Sequence, residues 1–285
     1  MPTPLDAILP RMAQRLRFAL RRCHACRIVH KCLTDGKVYC ISIIYDTLFL
    51  LLDIFWMSGE RTCANDDEAV MKFKQKLRPL LVDAFHKLYY GSKRQTRHNT
   101  FWLGVPCFKC PLDLWIYQEI IFEVRPDIII EAGTASGGSA LFLACVCDWI
   151  GSGSIVSIDI QERADLPKHN RINYLVGSSV SDPIVQQVSR FVADKHSVLV
   201  VLDSDHSREH VLEELRIYSR FVTLNSYVIV EDTNLNGHPI KPAFGPGPME
   251  AVVEFLQQTD RFAIDADREK FFLTFNPKGY LKRVR

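Results

Sequence analysis

The sequence predicts an α/β protein: a mainly parallel sheet with helices on both faces and a helical region ahead of it. Three observations carry this expectation. From residue 127 onward, short β-branched runs alternate with stretches of helical periodicity, four of those runs end in an acid, and the first breaks into a glycine-rich turn. Strands buried on both faces read as unbroken apolar runs, and parallel strands need crossovers of one hand, usually helical, to connect them. In such a sheet ligands collect at the carboxyl ends of the strands, where the acids stand.

Residues 1–60 form an extension of different character. The first 40 residues carry eight Lys/Arg against two acids, so they hold +6 and the remainder −4 of a net +2. So small a net charge gives no expectation of a nucleic-acid partner. The Arg-rich, acid-poor stretch 5–33, with Leu16, Phe18, Leu20, Ile28 and Val29 interleaved, suits a transit peptide, a membrane-surface helix or an ordinary surface helix, and all three stay open. Organellar targeting and peripheral membrane contact are therefore both expectations for this segment. Residues 41–57 are apolar but short for a span, and Asp46 and Asp53 would each cost ~2.5–3.5 kcal/mol near a bilayer centre. Their seven-residue spacing puts both on one helix face, which favours a buried or subunit-interface helix and with it a homo-oligomer. Polar residues 58–67 read as a linker.

Residues 61–126 are expected to form a helical lead-in and cap. The stretch 68–90 places Val70, Phe73, Leu77, Leu81, Phe85 and Leu88, with Leu80, on a core stripe, and Pro79 should kink or divide it. Pro106 and Pro111 punctuate a loop before a helix over 113–124, whose end is marked by Arg125-Pro126.

From 127 to 285 the strands and helices alternate. Ile128, Ile129 and Ile130 lead to Glu131; then Gly133, Thr134, Gly137 and Gly138 form a turn into a helix over 139–149 that aims its N-terminal N–H groups at any ligand there. The turn is G-x-x-x-G-G, which is neither the dinucleotide nor the P-loop pattern. Further strands are expected at 155–159, 172–176, 198–203, 227–231 and 271–275, with helices at 182–194, 209–221 and 249–258. The Gly- and Pro-rich stretch 233–248 is too long for a simple connector and reads as part of a lid.

Nine cysteines, an odd number, two of them inside the apolar 139–149 helix, argue for reduced thiols and a cytoplasmic or other reducing compartment. Cys23 and Cys26, with Cys107 and Cys110 far along the chain, lack the regular spacing of a zinc site, so ordinary thiols are the better reading.

Asp159 closes the second strand, 26 residues after Gly133. An acid there can accept hydrogen bonds from both hydroxyls of a ribose, or simply be solvated at a strand end. Asp203 ends the fourth strand, and Glu231 and Asp232 end the fifth. Three converging carboxylates repel one another unless a cation sits between them, and oxygen-only ligation favours Mg²⁺ over Zn²⁺. Should they never converge, they are separate solvated acids. His206, three residues beyond Asp203, suits a general base for a substrate hydroxyl, with His210 and His238 as weaker rivals.

Trp102-Leu-Gly-Val-Pro106, Lys109-Cys-Pro-Leu-Asp113, Tyr117-Gln-Glu119, Glu131-Ala-Gly-Thr134, Leu202-Asp-Ser-Asp-His206, Val230-Glu-Asp-Thr233 and Gly245-Pro-Gly-Pro248 together resemble the cephalosporin hydroxylase / rhamnosyl O-methyltransferase family, from about residue 66 to the end. The resemblance implies a Rossmann-like, seven-stranded S-adenosylmethionine-dependent methyltransferase fold with one antiparallel strand near the edge. It implies that Glu131, Gly133 and Ser139 line the methionine end of the cofactor and Asp159 its ribose, with Thr134, Gly137, Gly138, Ser178 and Asp203 completing the cofactor set. It implies that Asp203, Glu231 and Asp232 hold Mg²⁺, and the Asp203-x-x-His206 spacing is similar to that of metal-dependent sugar O-methyltransferases in which the His is the base. The leading expectation is an O-methyltransferase acting on a hydroxyl of a sugar, glycolipid or secondary metabolite, with Trp102, Tyr117 and His238 as acceptor-side candidates. Two alternatives are a hydroxylase or its accessory subunit, which would want a two-His, one-carboxylate iron site, and a non-catalytic binding module on the same fold.

Overall fold

A computed structural model describes residues 64–285. The expectations for residues 1–63, including the basic stretch, the interface helix and the first five cysteines, lie outside the described residues.

At the centre is a seven-stranded sheet. The elements are helix α1 (Ala64–Gly91), a two-stranded ribbon β1 (Phe101–Trp102) and β2 (Val105–Pro106), α2 (Pro111–Val124), β3 (Ile128–Ala132), α3 (Gly138–Ile150), β4 (Ser154–Asp159), β5 (Ile172–Val176), α4 (Asp182–Val192), β6 (Val198–Leu202), α5 (Arg208–Tyr218), β7 (Tyr227–Val230), α6 (Pro248–Gln258), β8 (Phe262–Ile264) and β9 (Tyr280–Arg283). The strand order is β5-β4-β3-β6-β7-β9-β8, with β9 antiparallel to both its neighbours and the rest parallel. This is the expected seven-stranded sheet with one reversed strand near its edge.

The β-branched runs form the central strands because every residue of β3, β6 and β7 is buried and none has to face water. Side chains alternate across the pleat. Ile128 and Ile130 enter a core with Ile184, Val211 and Phe255 from α4, α5 and α6, whereas Ile129 enters another with Ile120 of α2 and Phe142 of α3. Glu131, two residues on from Ile129, therefore points toward the α2 and α3 side.

Several expectations are corrected. Residues 271–275 are not a strand: Phe272 takes φ 67, and Leu273 and Phe275 instead pack as a loop against Tyr90, Leu235 and Ile240. The last two strands, β8 and β9, are short and include Lys282 and Arg283, so no apolar run announced them. Among the described side chains of α1, Leu80, Phe85 and Leu88 are exposed, Leu77 and Leu81 are half-buried, and the buried ones are His86 and Tyr90, where His86 stacks on Phe275 at 5.8 Å and meets the Asn234 amide at 2.9 Å. Helix α1 also starts inside the expected linker and runs through Pro79 unbroken. Among the described residues no helix is long and apolar enough to cross a membrane.

Candidate active site

At the end of β3 the chain must turn beside β6. Gly133 adopts φ 101, and a Cβ there would lie 1.9 Å from the Asp203 carbonyl oxygen, so only glycine lets the two strand ends close. Gly138 opens α3 against the Pro106 carbonyl, again with no room for a Cβ, while Gly137 caps the helix. The result is a cavity of about 510 Å³ at the carboxyl ends of β3 to β6, walled by Gly133, Asp159, Ser178, Ser179, Asp203 and His210 among others. That volume suits a small organic cofactor.

Of the residues expected to bind the cofactor, Gly133, Asp159, Ser178 and Asp203 meet in this cavity. The others are not among its lining residues. Thr134 and Ser139 are buried, and the Thr134 hydroxyl meets that of Ser157 at 2.7 Å. Glu131 is wholly buried; its Oε2 accepts a hydrogen bond from Ser157 at 2.6 Å and its Oε1 has no partner. Burial pushes the Glu131 pKa up, against the pull of Lys109, Ser139 and Ser157. Asp159 also braces the turn: its Oδ2 accepts N–H groups of Thr134 at 3.2 Å and Ala135 at 2.9 Å, and its Oδ1 that of Gln161 at 2.9 Å. The cavity's far wall is held by buried Glu214, whose Oε1 accepts hydrogen bonds from Ser179 at 2.5 Å and Ser204 at 2.7 Å, with His210 Nε2 at 3.4 Å.

Because β6 and β7 are in register, with Leu202 opposite Val230, the acids that follow each strand emerge side by side. Asp203, His206 and Asp232 each offer a ligand atom within 4.8 Å of the others, and His206 Nε2 lies 3.2 Å from Asp232 Oδ2. Glu231 is directed elsewhere. Its Oε1 accepts hydrogen bonds from Lys109 Nζ at 2.6 Å and the Tyr117 hydroxyl at 2.7 Å, and Lys109 also bonds the Asp203 carboxylate. Burial works against the Lys109 ammonium, but Asp203 and Glu231, with Glu131 behind them, outweigh it and hold its pKa well above the lysine range. The three expected metal acids are thus neighbours, with His206 in the set and Glu231 turned to a lysine. Sequence reasoning missed Lys109, although it is the only charged residue between His98 and Asp113, a signal that its charge has a buried partner.

The acceptor-side candidates separate. Tyr117 is buried behind Glu231, Trp102 packs edge-on against Phe142 at 4.8 Å, and His238 is bonded to Glu250 at 2.9 Å. Nor is the 233–248 loop free along its length: Thr233, Asn234, Leu235 and Ile240 are buried, and the Thr233 hydroxyl is tied to the Pro277 carbonyl. Only residues 241–244 form an exposed run in this loop.

This strand order, with a cofactor-sized cavity over the carboxyl ends of its parallel strands, is the architecture of the S-adenosylmethionine-dependent methyltransferase fold. The CmcI N160 apo-structure shares the fold with a TM-score of 0.52 at 18% identity, over 66% of this chain and 77% of that one. The structure titled CmcI-D160 Mg-SAM does so with 0.53 at 17% identity, over 66% and 78%. The chain belongs to the rhamnosyl O-methyltransferase/CmcI family, whose pattern matches residues 94–284, and it is an S-adenosylmethionine-dependent O-methyltransferase. The rhamnosyl O-methyltransferases of Mycobacterium tuberculosis and Mycobacterium leprae are 36% and 38% identical to it over 210 residues, which is 71% of this chain and 85% and 90% of theirs.

The residues present fit the cofactor on two counts: the cavity volume, and the buried, unpartnered Glu131 Oε1, which has lone pairs to spare for an ammonium or hydroxyl. The Asp203, His206, Asp232 set, with two carboxylates and one imidazole, fits a divalent ion and does not supply the two histidines of an iron oxygenase triad.

Proposed function

We propose that the chain methylates a hydroxyl of a sugar, free or carried on a glycolipid, with Mg²⁺ at Asp203 and Asp232 and with His206 as the base. The observation that carries this reading is that Asp203 belongs to both features: it walls the cofactor cavity and it is a corner of the donor cluster. An acceptor oxygen at that corner is beside the cofactor and beside a histidine at once. The rhamnosyl O-methyltransferases among its relatives support a sugar acceptor.

When bound, S-adenosylmethionine would supply an electrophilic methyl group and the divalent ion would lower the pKa of the acceptor hydroxyl. The chain's own residues do the rest. Glu131 and Ser139 would hold the methionine end, Asp159 and Ser178 the ribose, and the turn of Gly133, Thr134, Gly137 and Gly138 would let the cofactor lie close against the protein backbone. Asp232 orients His206 through the ring N–H, which leaves the other ring nitrogen to take the proton of the acceptor hydroxyl. Glu231, held by Lys109 and Tyr117, keeps the cluster's charge in place. The free thiols Cys107, Cys110, Cys145 and Cys147 support a reducing compartment, and residues 1–60 are left with three roles: targeting, membrane-surface contact or subunit contact.

The test is calorimetric titration of S-adenosylmethionine into the full chain with Mg²⁺ and then with EDTA, beside Asp159→Ala, followed by transfer of labelled methyl to rhamnosyl acceptors. Binding lost in the variant and methyl transfer that stops in EDTA is the expected result. Methyl transfer unaffected by EDTA would overturn the metal assignment, and no transfer to any sugar would overturn the acceptor.

A further inference from the structure

Lys109 comes from the connection between β2 and α2, outside the sheet, yet its ammonium ends among the acids of the donor cluster. It lies 2.6 Å from Glu231 Oε1, bonds the Asp203 carboxylate too, and is buried with both Glu231 and the neighbouring Tyr117. Its approach is built. Thr100 donates to the Cys107 carbonyl, the Lys109 amide to the same carbonyl at 2.8 Å, and Cys107 and Cys110 are buried on either side. Among the described residues a lysine so enclosed has no ion partner but these carboxylates, and one of them, Asp203, is also a corner of the cluster that fits a divalent ion. Two cations therefore claim one carboxylate.

We propose that Lys109 is a tethered counter-ion that competes with the divalent ion for Asp203. Without the ion it keeps Asp203 and Glu231 compensated and in place. As the ion enters, Asp203 passes from Lys109 to the ion, and Lys109 keeps Glu231. The carboxylates then never stand uncompensated in a buried site, and the affinity for the ion is set by the exchange, weaker than the bare cluster would give. This rests on the metal reading given above. It differs from a purely structural ion pair in one respect: a structural pair has no reason to change when Mg²⁺ binds.

The experiment is calorimetric titration of Mg²⁺ into the full chain and into Lys109→Met, both saturated with S-adenosylhomocysteine. The expected result is at least tenfold tighter Mg²⁺ binding in Lys109→Met, with a melting temperature that falls in EDTA and is restored by Mg²⁺. In parallel, wild-type chain is reductively methylated with and without Mg²⁺ and the Lys109 peptide quantified by mass spectrometry. Lys109 should be protected in EDTA and react at least threefold faster with Mg²⁺, having lost one of its two carboxylates; this arm stands even where Lys109→Met does not fold. Mg²⁺ that binds both proteins alike, or leaves Lys109 reactivity unchanged while bound, overturns the proposal and leaves the metal reading intact. Mg²⁺ that binds neither protein overturns both.

Discussion

Replacing Gly133 by alanine tests whether one backbone contact holds the cofactor cavity and the donor cluster together. The added Cβ would sit 1.9 Å from the Asp203 carbonyl oxygen and 2.5 Å from its carbon, so the ends of β3 and β6 must part by more than about 1 Å to reach ordinary contact. A non-glycine residue at φ 101 adds backbone strain of roughly 1–3 kcal/mol, and overpacking a tight site adds about as much, so the sum is roughly 2–6 kcal/mol. For a domain of this size that is a fall in Tm of roughly 4–24 °C. Gly151→Ala is the control. Gly151 also has positive φ, 76, but nothing within 4 Å of its Cβ position, so it pays strain alone, about 1 kcal/mol. Scanning calorimetry gives both melting temperatures, and titration with S-adenosylhomocysteine gives affinity, which should drop at least tenfold in Gly133→Ala and hold in Gly151→Ala. Equal melting temperatures for the two variants, or undiminished affinity in Gly133→Ala, would refute the claim that the β3–β6 contact sets the site.

Two buried groups give opposed acid responses. Burial lowers the His86 pKa from 6.5 to about 4, against Asp83, and the neutral ring faces the Asn234 amide. Its folded pKa lies below the unfolded one, so this contribution, up to about 3 kcal/mol, is whole above pH 6.5 and lost as pH falls toward 4. Burial raises Asp113 from 3.8 to about 6, against hydrogen bonds from Thr274, Phe275 and Tyr280; its native state prefers the proton, so stability declines as pH rises from about 4 to 6. The two slopes offset each other in the wild type. Urea unfolding at intervals from pH 4 to 7 should show stability falling with pH in His86→Leu and rising with pH in Asp113→Asn, and parallel curves for the two variants would contradict these assignments. Glu214→Ala strands the Ser179 and Ser204 hydroxyls and cuts S-adenosylhomocysteine affinity roughly tenfold, about 1.4 kcal/mol, by freeing two walls of the cavity; unchanged affinity in a folded variant would separate that network from the cofactor. The same substitution removes the hydrogen bond that chiefly raises the His210 pKa, so a stabilising contribution present below pH 6.5 and lost above the folded value should vanish from the stability profile.

What was legible in the sequence follows the range of the interactions involved. β3, β6 and β7 are read directly because burial on both faces demands an unbroken apolar run, and the acids after them because a strand end is a local event. β8 and β9 were not, because an edge pair can carry Lys282 and Arg283 and still hydrogen-bond through its backbone, which leaves no side-chain signature. The inward face of α1 was misread by the same logic. Periodicity finds an apolar stripe, but the packed residues include a histidine, and what draws His86 inward is Asn234, which lies far along the chain.

Lys109 is the clearest case of what a local pattern withholds. Its partners stand 94 and 122 residues away, and the motif around it gives no hint of which acids it meets. The acids, read alone, called for a cation, and the fold brings one to Asp203 and Glu231 from its own chain. A buried carboxylate pair specifies that charge be balanced and not by what. Which cation does so is decided by the β2–α2 connection, whose course depends on Gly138 letting Pro106 approach the start of α3, and only the folded chain brings those facts together.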